Sequence, residues 1–312
     1  MSKKTSIGGQ ALIEGIMMKG PRKTAMAVRK KDGEIDLSYM NQKSAKDRFA
    51  PFGWPVIRGV AGFIEAMITG YKALMLSADK SGFTEIEEED GKKSKLSDRI
   101  MNVVMIVGAV LGVALAVVLF MAVPRLAVGG LQRLFGEFSP VVRSGIEQLM
   151  KLSVFVIYVF AVSRMKDIRR VFMYHGAEHK TIFCYENGLP LTVENIRPMS
   201  RFHPRCGTSF MILMILVSIV VSTVAQMIFP GVYEVMWLWV TVKILLVPVC
   251  CGVGYELLKF CGRHDNIITK IIAAPGLWLQ RITTVEPEDD MLEVAAAALS
   301  AVMPEEGEDD RW

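Results

Sequence analysis

The residues with most scope for chemistry lie in one stretch, Tyr174-His175-Gly176-Ala177-Glu178-His179. In a helix over residues 168–186, a rotation of about 100° per residue puts His175 and His179 on one face, one turn apart, where two imidazoles can share a metal ion. Glu178 stands beside them, placed to draw a proton from water, which is the logic of the His-x-x-Glu-His arrangement of inverzincin metallohydrolases. The same pattern also suits an amphipathic helix whose polar residues merely face lipid headgroups. A stripe of Ile168, Val171, Phe172, His175, His179, Ile182 and Glu186 favours the metal, because it sets the imidazoles on the buried side, where an unpartnered ring is costly.

A zinc-type catalytic site takes three protein ligands and keeps one position open. Glu256 is the first candidate for the third ligand, since an acid at the end of a long apolar segment needs a partner. His203 follows, then Glu186 and Cys206, whereas His264, between Arg263 and Asp265, reads as an exposed loop histidine. Arg205 suits an anionic group such as a lipid phosphate or a carboxylate, or else is a basic flank of a membrane helix. Glu14, the one acid inside an apolar run, is either a site residue or the solvent side of an edge strand. The expected cofactor is a divalent metal, zinc first.

The elements that must position these groups are mostly apolar. Hydrophobic residues make up 52% of the 312, more than an ordinary soluble domain of this length carries, and membrane embedding is the natural explanation. The five cysteines show no paired spacing, so reduced thiols are expected, and no apolar h-region marks a cleavable signal peptide. Basic residues are many, but no nucleic-acid motif accompanies them.

Residues 1–55 read as a cytoplasmic β-rich region, with an apolar run from Gln10 to Met18 and a hairpin joining Thr24–Lys30 to Glu34–Met40 across Lys31-Asp32-Gly33. In 56–80, Arg58, Glu65, Lys72 and Asp79 recur every seventh residue, predicting a helix lying in the interface or on the spanning helices; a spanning helix or a dimer seam are the alternatives. A charged linker fills 81–100. Segment 101–163 holds two crossings, Met101–Val123 and Leu149–Ser163, and 164–206 is a cytoplasmic segment with the histidine helix. Segment 207–256 holds two more, Gly207–Phe229 and Val235–Tyr255, the last containing Lys243, which either snorkels or marks a transport path. An interfacial helix in 257–285 and an acidic tail in 286–312, with a helix from Asp289 to Val302, complete the chain. The expected fold is an α-helical polytopic membrane protein with about four transmembrane helices, interfacial helices and a small N-terminal cytoplasmic antiparallel β region. Basic residues crowd the amino-terminal region and 164–205 but are absent from 230–234, so both termini and the histidine segment are expected in the cytoplasm. His203-Pro204-Arg205-Cys206 precedes the third crossing and Glu256 follows the fourth, which puts them at that same membrane face.

Five blocks carry a family likeness: Gly8 to Met18, His175 to His179, His203-Pro204-Arg205-Cys206-Gly207-Thr208-Ser209-Phe210, Tyr255-Glu256, and Pro275-Gly276-Leu277-Trp278-Leu279-Gln280. Together they resemble the YqhQ-like family of bacterial membrane proteins, a domain of unknown function described as predicted metal-dependent enzymes. The resemblance runs from about Ile7 to Ala301 and implies a bacterial inner-membrane protein with a cytoplasmic amino-terminal part. It implies no substrate.

The leading expectation is a membrane-embedded metallohydrolase at the cytoplasmic face. His175 and His179 are its ligands, Glu178 its general base, and Glu256 or His203 the completing ligand. Its substrate is a membrane peptide or a lipid-like ester or amide. The alternative is a non-enzymatic scaffold that recruits protein partners around a structural metal or none. A transporter rests only on Lys243 and Pro248, without repeats to support it. The lipid bilayer is the expected partner, no nucleic acid is expected, and a homo-oligomer is compatible with the sequence.

Overall fold

Two of the amino-terminal strands are apolar on both faces, so the sheet they build must be covered twice. The computed structural model describes residues 4–40, 53–83, 103, 107–108, 110–229, 231–232, 235–264, 266–305 and 310. Strands β1 (Gly8–Leu12), β2 (Gly15–Lys19), β3 (Thr24–Arg29) and β4 (Ile35–Met40) form an antiparallel meander in the order β1-β2-β3-β4. The hairpin across Lys31-Asp32-Gly33 is present, with Ala27 opposite Leu37. The run from Gln10 to Met18 is not one strand but two, turned at Ile13-Glu14, where Glu14 adopts a positive φ of 49°.

Alternation then sorts the side chains. Ile16, Met18, Ala25 and Ala27 enter a core with helix α4 (Lys166–Glu186) and helix α9 (Asp289–Ser300), while Leu12, Met17, Met26 and Val28 pack with Ala73 of helix α1 (Ile57–Lys80). The acidic tail therefore contains a core helix. Met291, Leu292, Val294, Ala295, Ala298 and Leu299 are buried on it, at helical spacing. Helix α1 is tied to the sheet along its length: Lys19 bonds Glu65, the Ser77 hydroxyl accepts from the Ile13 N–H, and Lys80 pairs with Asp36.

Among the described residues, five helices are long and apolar enough to cross a membrane: Ile57–Lys80, Val110–Phe135, Val141–Val162, Gly207–Ile228 and Trp237–Arg263. The expected count was about four, and α1 is the addition. We number α2 (Val110–Phe135), α3 (Pro140–Val162), α5 (Val193–Ile196), α6 (Gly207–Ile228), α7 (Met236–Arg263) and α8 (Ile267–Thr283). Helix α2 does not stop at Pro124-Arg125. A π-helical turn at Val118–Ala122 shifts the hydrogen-bond register so that Pro124, which has no N–H to offer, sits in the first turn of a renewed α-helix. Likewise α7 runs past Pro248 and through the expected polar segment as far as Arg263. The linker's acidic cluster, Glu85 to Asp90, lies outside the described residues, as does most of the start of the first expected crossing.

The chain divides into two compact units, one of Met1–Thr84, Val159–Ser218 and Ile244–Trp312, the other of Glu85–Tyr158 and Ile219–Lys243. The first holds the sheet and every candidate site residue. Within the second, Lys243 does not simply snorkel. Its ammonium lies 2.9 Å from Glu147, which also accepts from Lys151 at 2.7 Å, so the two lysines share one carboxylate between α3 and α7.

Candidate metal centre

Helix α4 is buried all round from Tyr174 to Ile182, not along one stripe, because the sheet and α9 pack against it. Gly176 makes this possible on one side. A Cβ there would collide with the carbonyl of Val285, so only glycine lets the strand-like segment after α8 lie on the helix. That segment is fastened by the Val285 N–H to the Phe172 carbonyl, at 2.9 Å. It brings the Thr283 carbonyl within 2.8 Å of His175 Nδ1, and the Arg201 carbonyl lies 2.6 Å from His179 Nδ1. A carbonyl can only accept, so both Nδ1 atoms carry the proton and both Nε2 atoms are directed to the same side as ligand atoms.

The third group is Cys206, immediately before α6. Its Sγ is 3.0 Å from His175 Nε2 and accepts the Thr208 N–H at 3.4 Å, as a sulfur does at the start of a helix. One ligand atom from each of His175, His179 and Cys206 lies within 4.8 Å of the others, and all three residues are buried. Burial pushes the Cys206 thiol up, but the two imidazoles outweigh it and hold the thiol well below its ordinary value. For His175 burial acts downward, and the thiolate, with Glu178 and the Thr283 carbonyl, raises it to about 9.

Glu178 completes the group. It is 5% exposed, takes the Gly9 N–H, and has burial as the main reason its carboxyl is raised. Glycine at position 9 lets strand β1 approach, since a Cβ there would stand 2.9 Å from the Glu178 carboxyl carbon. Glu178 Oε2 and His179 Nε2 are buried without a hydrogen bond, two polar atoms aimed into the site that a cation and a water would satisfy. Two imidazole nitrogens, a thiol and a nearby carboxylate are donor types that suit a zinc-type ion.

The other expected residues fall into three groups. His203 packs between the rings of His179 and Phe183, with centroids at 5.6 and 4.7 Å. Its Nε2 faces Glu186 and Arg205, which form a salt bridge with each other, so His203 and Glu186 stand outside the cluster of His175, His179 and Cys206. Burial lowers His203. It would raise Glu186, but the contacts from His203 and Arg205 prevail and lower it. Glu256 is not among the converging ligand atoms: both its oxygens are held by Arg58 of α1. Glu14 is likewise paired, with Arg170, and its Oε2 lies 3.3 Å from the Tyr174 hydroxyl.

Sequence reasoning missed Gln280. It is fully buried, and its amide accepts the His203 N–H at 2.8 Å while donating to the His203 carbonyl at 2.7 Å, which fixes the backbone that leads into Cys206. A single amide in an apolar helix face was the available signal.

The profile of the family "Protein of unknown function (DUF1385)" matches residues 54–305. The chain belongs to the DUF1385 family. The "Uncharacterized protein YqhQ" of Bacillus subtilis (strain 168) is similar to it, 35% identical over 299 residues, which is 95% of this chain and 92% of the relative. No solved structure matches the chain. The family match spans the histidine helix, Cys206 and Gln280, whereas Gly9 and Glu14 precede it.

Proposed function

We propose that this chain is a multi-pass protein of the bacterial inner membrane. Its His175-His179-Cys206 centre acts as a metal-dependent hydrolase at the cytoplasmic face, on a membrane peptide or a lipid-like ester or amide. The observation that carries the reading is the convergence of three buried ligand atoms within 4.8 Å, beside a buried carboxylate oxygen without a hydrogen bond.

Topology supports the membrane part. The amino-terminal sheet and the late helix α9 share one core, so both lie on one side of any bilayer, which requires an even number of crossings. Of the five apolar helices α1 is the one to set aside, because its bonds to the sheet from Glu65 to Lys80 hold it along the sheet, which lies on one side of the bilayer. Helices α2, α3, α6 and α7 then cross. The basic residues of 164–205 support a cytoplasmic position for the shared core and for the site with it.

A divalent ion bound here would supply a Lewis acid for a carbonyl or phosphoryl oxygen. The protein's own groups do the rest. The Thr283 and Arg201 carbonyls orient the imidazoles, the Gly9 N–H holds one oxygen of Glu178, and its other oxygen is available to accept a proton from water. The Cys206–His175 contact taken alone would also suit a nucleophilic thiol, but at 6% exposure the sulfur is closed in by the histidines, as a ligand is and an attacking group is not.

Elemental mass spectrometry of the detergent-purified protein tests the reading, wild type beside His175→Ala/His179→Ala. Near-stoichiometric zinc, iron or manganese that disappears in the variant supports it. No metal in either, after chelator-free purification and added metal, overturns it and leaves the scaffold.

A further inference from the structure

Beside the candidate centre lies a cavity of ≈ 570 Å³ that the hydrolase reading does not use. Its charged lining is lopsided. Among the described residues that line it, Lys4, Arg205, Lys270 and Arg281 are cationic and Glu186 is acidic; Arg205 and the Thr5 N–H hold Glu186, and Lys4 donates to the Gly262 carbonyl. The remaining wall is apolar and aromatic, with Phe183, Leu277 and Trp278.

Helix α8 explains why charge and apolar surface adjoin. Ile267, Ile271 and Trp278 fall on one line along the helix and are 75%, 66% and 66% exposed. Lys270 and Arg281 share a second line about 60° round the helix, on the side that faces the cavity. Three large exposed apolar side chains flanked by cations are the pattern of a helix lying in a bilayer surface, with its ammonium and guanidinium groups at headgroup depth.

We propose that this cavity is a binding site for an anionic phospholipid, its phosphate among Lys4, Lys270 and Arg281 and its acyl chains along Ile267, Ile271 and Trp278. The inference rests on the membrane reading above and is independent of the metal. Charge complementarity commits it to an anionic lipid in preference to a zwitterionic one, and the apolar line commits it to a lipid in preference to free phosphate. The site would seat the Pro204-Arg205 loop, and hence Cys206, at the membrane surface.

Native mass spectrometry of the full detergent-solubilised chain can test this, with equimolar phosphatidylglycerol and phosphatidylcholine of identical acyl chains. Wild type should prefer phosphatidylglycerol, and Lys270→Gln/Arg281→Gln should lose about fivefold in that preference for each charge removed. Trp278→Ala should weaken both lipids alike. His175→Ala should leave the preference intact, which separates this site from the fate of the metal. Equal binding of the two lipids by wild type, an unchanged preference in the double variant, or displacement of the lipid by millimolar inorganic phosphate would each overturn the proposal. If the chain is instead released from membranes by alkaline carbonate, the membrane reading fails and this inference falls with it.

Discussion

Cys206 Sγ lies 3.0 Å from His175 Nε2, across 31 positions of sequence, and that contact joins the start of α6 to the middle of α4. It converts a pair of helix-spaced histidines into a three-donor site. The backbone around it is fixed from outside, by the Thr283 and Arg201 carbonyls on the histidines and by Gln280 on His203, so the protein's own hydrogen bonds orient the three donors.

Cys206→Ala should therefore weaken zinc binding by more than the ~10–100-fold typical of losing a residue that only orients a ligand. His203→Ala should fall inside that range, because its ring packs on His179 and its nitrogens face Glu186 and Arg205. Competition with a colorimetric zinc chelator measures both. Unchanged affinity in Cys206→Ala would remove the thiol from the ligand set.

Glu178→Gln should keep the metal and lose hydrolysis, and its effect on the metal-free protein has a definite sign. Burial raises the folded carboxyl above its unfolded value, so between those two values the folded state binds more protons and stability falls as pH rises. Below the unfolded value, about 4.3, the penalty is absent. The stability advantage of Glu178→Gln over wild type should thus be near zero at about pH 4 and grow as pH increases towards the folded value. Paired thermal melts across that range read it. An advantage that shrinks with pH would show that the histidines, not burial, govern this carboxyl.

Gln280→Ala should cost stability and metal together. It strips partners from the buried His203 N–H and carbonyl, at about 1–3 kcal/mol for each unsatisfied group, and frees the loop that carries Cys206. Gln280→Glu retains an acceptor for the His203 N–H but sets a carboxylate oxygen against the His203 carbonyl at a fully buried position, so it should be no more stable than alanine. Thermal melts with and without zinc separate the two effects, and a destabilised Gln280→Ala of normal zinc affinity would show that the loop does not need this clamp.

What was legible in the sequence was local. The Asp-Gly turn marked the β3–β4 hairpin, uninterrupted apolar length marked α6, and the spacing of His175 and His179 marked the site. What was not legible depended on partners far along the chain. From sequence Glu256 suggests itself as third ligand because an acid at a helix end needs a partner; that partner is Arg58, 198 positions away. Cys206 ranked below it because nothing local shows that Gln280 folds its loop back onto α4. The helix from Asp289 is legible in the acidic 286–312 segment, but its place in the core is not, since its apolar face has a role only once the sheet is there to receive it.

Gly176 offers the sharpest test of that packing, because the constraint is steric and leaves every functional group in place. Its missing Cβ is where the Val285 carbonyl sits, and the segment from Thr283 to Val285 supplies the acceptor for His175 Nδ1. Gly176→Ala must push that segment away, at the ~1–3 kcal/mol that overpacking typically costs, although alanine favours the helix by itself. The His175 ring then loses its orienting carbonyl, so zinc affinity should fall while far-ultraviolet circular dichroism stays helical. Gly8→Ala is the matched control, since a Cβ there meets nothing within 4 Å. If Gly176→Ala bound zinc as tightly as Gly8→Ala, the Thr283 carbonyl would not be what sets the His175 tautomer, and the donor set would have to be held by α4 and Cys206 alone.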